Sequence, residues 1–428
     1  MSATEPTAEQ KDQPEQSSKA ESAPETPKVI LSSEQKEIFD RIAKNENSEL
    51  KLLLARFKQS VDFVDDNGMT PLQHAAYKGN KDAVQMLLDQ GADVNSGKHE
   101  YNYTALHFGA LSGSVDVCMK LLLAGAKADA TNTIGRTAAQ MAAFVANHQV
   151  VATINSFVPV KEIECYTKVQ GSQKEPMLPV VHLDGFHKFI MQINIHPVRI
   201  ALNLQKYGLF IEDLKRIRKV LDEMMEREMK RRNEINEVMA FKYHYLGYMV
   251  NEIAKCRDYF LARKDKADGG NGKDQKSDFV ELFAKRVLKQ GKDGSLEYVE
   301  ATIRECVREF PFRECTIFRQ VVTQLASKEN AASALEIIKS AINGQRGFQD
   351  TISLCSSCGE EKPDKKCSKC KEVQYCDREC QRLHWFMHKK VCARPSSTTA
   401  QGQGPVKDAK KDIDSAEISE QLQKLVAS

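Results

Sequence analysis

Between Asn67 and Ile154 the chain says nearly the same thing three times. NGMTPLQHAAYKGNKDAVQMLLDQGADVN is followed by YNYTALHFGALSGSVDVCMKLLLAGAKAD and then by IGRTAAQMAAFVANHQVVATI. Thr70, Thr104 and Thr137 stand at matching places, as do Gly79 and Gly113, and Gly91 and Gly125. A unit of about 33 residues cannot bury its apolar face alone, so such units stack, each covering the next. Each threonine is a helix N-cap, and each glycine suits a left-handed helix end. The residue two before each threonine, Gly68, Asn102 or Gly135, is of a kind that tolerates positive φ in a turn.

This pattern resembles the ankyrin repeat, a hairpin turn followed by two antiparallel helices. The likeness has gaps: Gln73 and Gln140 stand where T-P-L-H has histidine, and only His107 keeps it. Residues 34–65, with Ile38, Phe39, Ile42, Leu53 and Leu54, read as a degenerate capping repeat, which gives a block over 32–160. One extra residue in SGKHEYNY places Tyr101 and Tyr103 near a hairpin tip. Tips line the concave binding face of such stacks, so the two tyrosines either contact a partner or pack on a neighbouring tip.

Residues 161–350 show helical periodicity and no chemical motif. The stripes are Leu214, Ile217, Val220, Leu221 and Met224; Ile235, Val238, Met239, Leu246, Met249 and Ile253; and Leu296, Val299, Ile303, Cys306, Val307 and Phe310. Ile317, Val321 and Leu325, then Leu335, Ile338 and Ile342, add two more. This predicts a helical domain with a flexible break near 264–277. The basic run near Lys230 reads as the solvated face of a long helix. Cys118, Cys165, Cys256, Cys306 and Cys315 lack ligand spacing and read as inert thiols. Residues 1–31 and 394–428 are polar and aperiodic, so disordered tails are expected, with Ile418, Leu422 and Leu425 as a possible short helix in the second.

Seven of the 12 cysteines lie between Cys355 and Cys392. The spacing is C-x2-C at Cys355 and Cys358, C-x2-C at Cys367 and Cys370, C-x3-C at Cys376 and Cys380, and H-x3-C at His388 and Cys392. No signal-peptide core precedes it, so a reducing cytosol is expected, where clustered thiols bind metal. Eight ligands make two tetrahedral zinc sites, structural because four protein donors leave no place for water. His384 is a rival to His388, disfavoured by the H-x3-C spacing on one helix. The segment, read as a domain over 351–393, is too short for a core of its own, so the metal is expected to supply its folding energy.

Six cysteines followed by His and Cys, with Tyr375 beside Cys376 and Trp385 just before His388, resemble a MYND finger. The resemblance implies interleaved pairs: Cys355, Cys358, Cys376 and Cys380 on one zinc, Cys367, Cys370, His388 and Cys392 on the other. It also implies binding of short proline-containing peptides. Nucleic acid is not expected. The finger's nine Lys/Arg exceed its six Asp/Glu by three, and the two thiolate–zinc clusters cancel that surplus.

The fold class expected is therefore mainly α: an ankyrin solenoid, a helical domain, a two-zinc MYND finger and disordered termini. The order of parts resembles the ankyrin repeat and MYND domain-containing protein 2 family over about residues 34–393. That resemblance implies a non-enzymatic adaptor that assists delivery of membrane nucleotide cyclases to cilia, directly or through a chaperone serving them. The alternatives are a MYND-type lysine methyltransferase or a transcriptional corepressor. The first requires a cofactor motif and a C-terminal tyrosine motif that the sequence does not show, and the second a nuclear targeting signal that it does not show. No run is apolar enough to span a membrane, so no direct membrane insertion is expected and the protein is placed in the cytoplasm with an association with cilia.

Overall fold

The computed structural model describes residues 30–171, 174–207, 214–231, 235–267, 278–292, 294–327, 332–344 and 352–392. The two expected tails, apart from the first's last two residues, fall outside the described residues. So does the expected break, beyond the helix that runs to Ala267.

The stack begins with α1 (Ser33–Ala43) and α2 (Asn47–Arg56). The pairs α3 (Pro71–Tyr77) with α4 (Lys81–Asp89), α5 (Ala105–Ser112) with α6 (Val115–Leu123), and α7 (Ala138–Phe144) with α8 (His148–Asn155) follow. Reciprocal capping boxes open α1, α3, α5 and α7. Gly68, Asn102 and Gly135 all have positive φ, of 74°, 55° and 72°. Gln73 at the histidine position explains itself, whereas Gln140 makes the cap alone. Gln73 Oε1 accepts the Thr70 N–H at 2.8 Å, and its Nε2 donates to the carbonyls of Ser96 and Tyr103, both at 2.9 Å. In the next repeat His107 does the same work with a ring: Nδ1 accepts the Thr104 N–H at 3.2 Å, and Nε2 meets the Arg136 carbonyl at 3.1 Å. Both side chains have an acceptor for the cap and a donor for the next hairpin, so either serves. The stack's core runs from Ile38 to Ile154.

Beyond it come α9 (Val160–Glu164), α10 (Leu183–Ile190), α11 (Pro197–Lys206), α12 (Leu214–Met229) and α13 (Glu237–Ala267). Then follow α14 (Phe279–Val287), α15 (Glu297–Glu309), α16 (Thr316–Ala326) and α17 (Ala334–Asn343). The centre of α13 is buried on every side: Phe241, Lys242, Tyr243, His244, Tyr245 and Leu246 all lie in the interior. A helix buried all round shows no single stripe, which is why periodicity marked only some of its positions. Of the second stripe, Ile235 precedes the helix and is exposed.

The basic run is solvated as expected but sits at the end of a helix and not along its face. Helix α12 stops at Met229, and Arg231 lies past its end. Lys230 and Arg231 both stay exposed, at 69% and 40%, while Arg231 lies 2.9 Å from Glu162 of α9 and 2.7 Å from Glu228, whose side chain is 7% exposed.

The finger consists of β1 (Lys365–Lys366), β2 (Gln374–Tyr375) and α18 (Arg378–Val391). The strands pair antiparallel, Lys365 opposite Tyr375. One apolar core extends from Val158 through the helices to the finger's Tyr375 and Leu383. The finger is packed onto the helical body, α18 against α14. The last repeat also meets this body: α8 lies against α17, and Gln149 donates to Glu361 of the finger. Among the described residues no helix is long and apolar enough to cross a membrane.

Candidate metal centre

Each C-x2-C pair is a tight turn whose following residue is left-handed: Gly359 at φ 64° and Lys371 at φ 61°. The turns close by Gly359 N–H to Cys355 C=O and Lys371 N–H to Cys367 C=O, both 2.9 Å. Two cysteines are thereby turned toward the same point. The third and fourth donors come from α18 and its flanks. Asp377 caps the helix by accepting the Cys380 N–H at 2.8 Å, which fixes Cys380 just after Cys376 on β2's trailing end. At the other end, Cys392 donates its N–H to His388 C=O at 2.9 Å, which holds the H-x3-C pair together.

The result is two interleaved groups. Cys355, Cys358, Cys376 and Cys380 form one, and Cys367, Cys370, His388 and Cys392 the other, each with its donor atoms within 4.8 Å of one another. Tetrahedral zinc with Zn–S of about 2.3 Å and Zn–N of about 2.0–2.1 Å requires S···S near about 3.8 Å and S···N near about 3.5 Å. The observed separations are 3.6 Å for Cys358–Cys376, 3.7 Å for Cys358–Cys380, 3.8 Å for Cys367–Cys392 and 3.5 Å for Cys370–His388 Nε2. The donors fit two structural zinc ions, with a full set of four at each. His384 lies outside both groups; its Nδ1 is 3.1 Å from the Tyr375 hydroxyl. Burial, with His388 beside it, lowers its pKa.

A second observation supports anionic sulfur. Arg199, on α11, places Nη2 3.1 Å from Cys358 Sγ and 3.3 Å from Cys376 Sγ. The same nitrogen is 3.0 Å from Glu360 Oε2. Thiolates at these positions would share with the Glu360 carboxylate the work of offsetting the half-buried guanidinium. Asn194 adds hydrogen bonds to Cys358 C=O at 3.0 Å and Glu360 at 2.9 Å. His196 packs over the same turn. Burial, and then Lys339 nearby, drives its pKa to about 3, so the neutral ring accepts the Val198 N–H through Nδ1 at 3.2 Å. Sequence reasoning missed Arg199, Asn194 and His196, which lie far upstream of the finger and carry no motif.

The tyrosine pair divides. Tyr103 is 3% exposed, enclosed by His99, His107 and Phe108, so its ring offers no contact surface. Tyr101 is half-buried, and its carbonyl accepts the Thr133 N–H at 3.1 Å, joining one hairpin to the next. The single tryptophan, Trp385, is 43% exposed on α18, one turn after Gln381. An open cleft of about 770 Å³ lies between the finger and the helical body, lined by Gln205, Glu281, Glu379 and Arg382. Its charges are spent on one another: Arg382 pairs with both Glu281 and Glu379.

A stack of ankyrin repeats and a two-cluster MYND finger on one chain define a protein-interaction adaptor. The ankyrin-repeat family (three copies) matches residues 39–132 and the MYND-finger family residues 355–392. Dauer abnormal formation protein 25 of Caenorhabditis elegans is 31% identical over 364 residues, 83% of this chain and 89% of that protein. The chain belongs to the family of that protein. More local likenesses are to the zinc finger MYND domain-containing protein 10 homolog of Drosophila melanogaster, 45% identical over 51 residues (12% of this chain, 11% of that protein). Protein phosphatase 1 regulatory subunit 27 of Mus musculus is 29% identical over 97 residues (23% of this chain, 62% of that protein).

Proposed function

We propose that this protein is a cytoplasmic, non-enzymatic adaptor that promotes arrival of membrane nucleotide cyclases at cilia and so tunes cyclic-nucleotide signalling. The cyclases bind it directly or through a chaperone. The observation that carries the adaptor class is the pair of four-donor clusters beside an interaction stack. Every ligand is spent on holding metal, so Cys355, Cys358, Cys376 and Cys380 hold one zinc and Cys367, Cys370, His388 and Cys392 the other, with no position for a reacting water. The cargo comes from the resemblance to the ankyrin repeat and MYND domain-containing protein 2 family. Trp385 offers an exposed indole face for a proline-containing peptide at the finger. Tyr101 offers a partner contact on the stack; Tyr103 acts beneath it as support.

The test is a null mutant in a ciliated cell carrying a tagged receptor cyclase, rescued with the wild-type chain or with Trp385→Ala. The null should lose most ciliary cyclase, the wild type should restore it, and Trp385→Ala should restore it only in part. Normal ciliary cyclase in the null contradicts the delivery function.

A further inference from the structure

The two knuckles of the finger are the same turn with different residues after the second cysteine. At the second cluster that residue is Lys371, exposed and left-handed. At the first it is Gly359, and a Cβ there would lie 3.2 Å from His196 Cδ2 and 3.4 Å from Lys339 Nζ. A left-handed lysine is tolerated at one knuckle, so φ alone does not explain the glycine. The first knuckle is pressed against the helical body, at the segment joining α10 to α11 and at α17.

Polar contacts converge on the same place. Arg199 reaches two sulfurs of the first cluster and Glu360. Its Nε is buried with no hydrogen-bond partner among the described residues, so the contacts made by Nη2 are what offset the burial of the charge. Asn194 holds the knuckle's carbonyl, and Asn194 Oδ1 accepts the His196 N–H at 3.0 Å. The segment is itself anchored: Asn343 of α17 donates to Ile193 C=O at 2.9 Å, and the buried Tyr245 hydroxyl donates to Ile195 C=O at 3.0 Å.

The charges make sense of this. Zinc with four thiolates carries −2, and zinc with three thiolates and a neutral histidine carries −1. Arg199 sets a cation against two sulfurs of this more negative cluster, with Glu360 as its further anionic partner. Partners outside the ligand shell fix ligand orientation, and their loss commonly weakens metal binding by about 10–100-fold.

We propose that Arg199 is a positioning residue for the first zinc cluster, and that this cluster is the joint locking the finger to the helical body. This rests on the ligand assignment above. The first cluster then needs α11 to hold its metal, whereas the second depends on the finger alone.

The experiment uses the full chain, as wild type, Arg199→Ala and Arg199→Lys. Zinc release to a chromogenic chelator is timed, and hydrogen exchange is followed at 191–199 and 353–361. Cobalt substitution assigns each phase, because four-sulfur and three-sulfur sites absorb differently. Arg199→Ala should release one zinc, the four-sulfur one, at least about ten-fold faster, with exchange raised at both segments and the other zinc unchanged. Arg199→Lys should recover part of the loss, since a point charge reaches one sulfur without forking across two. Two zincs in the wild type with unchanged release in Arg199→Ala overturn the joint alone. Accelerated release of both zincs with exchange rising throughout α12 and α13 also overturns it, because Arg199 would then be a general stabilising residue. A wild-type chain with no metal at the first cluster rejects the ligand assignment and the joint with it.

Discussion

At the scale of single residues, the least expected group is Lys242. It sits at the centre of α13 with no solvent exposure, and its Nζ has no hydrogen-bond partner among the described residues. Burial lowers its pKa from 10.5 to about 7. Because the folded value lies below the unfolded one, the unfolded chain binds the extra proton between these two pH values. Lys242 therefore costs stability in full below about pH 7, and the cost fades as pH rises toward 10.5. Lys242→Met keeps the unbranched shape and removes the charge. It should raise the urea midpoint at pH 7, by up to about 5 kcal/mol in unfolding free energy, and the gain should shrink steadily toward pH 10. A midpoint unchanged at pH 7 would show that the amine is solvated in the native protein. Nothing in the pattern of the sequence singled out this lysine, because its burial is set by the helices packed around α13. The eight cysteine and histidine donors were legible for the opposite reason. Ligand spacing is local, and four pairs within one short segment leave few ways to arrange them. Their pairing came only from resemblance, since spacing does not say which pairs interleave.

At the scale of elements, the repeat was readable because each unit signals its own ends. Threonine caps, the glycines after α3 to α6 and the hairpin residues at positive φ recur at matching places, and after α7 the left-handed place is taken by Ala146 at φ 61°. Gly79 follows α3 with φ 66°, while a Cβ there would meet only ordinary contacts from Ser112 and Ser114. Substitution thus tests backbone conformation and not crowding. Gly79→Val should cost about 1–3 kcal/mol, read as faster hydrogen exchange in α3 to α6 with α12 and α13 unaffected. Unaltered protection there would mean that the turn relaxes to another conformation at no cost. The basic run near Lys230 shows the limit of such reading. The run is solvated as its charge suggests, but Arg231 falls past the end of α12 and pairs with Glu162, 69 positions upstream. Only the tertiary partner gives the residue its place.

At the scale of the whole molecule, composition and motif suggested a string of parts, while the structure is built on two cores. One belongs to the repeats. The other continues from the helices into the finger without interruption. The finger looked separate because its metal motif is self-contained in sequence. Its attachment depends on Asn194, His196 and Arg199, which no periodicity or spacing marks. An adaptor of this shape holds two unlike binding modules at a fixed separation, so a partner engaging both gains from effective concentration without any new contact. That arrangement depends on the finger being folded, and the finger depends on its metal. The most direct measurement is the native mass of the intact chain, with Cys367→Ser alongside. The wild type should carry two zinc ions and the variant one, the survivor being the four-sulfur cluster. One zinc or none in the wild type, or loss of both in the variant while the helical core stays protected, would contradict the two-cluster architecture.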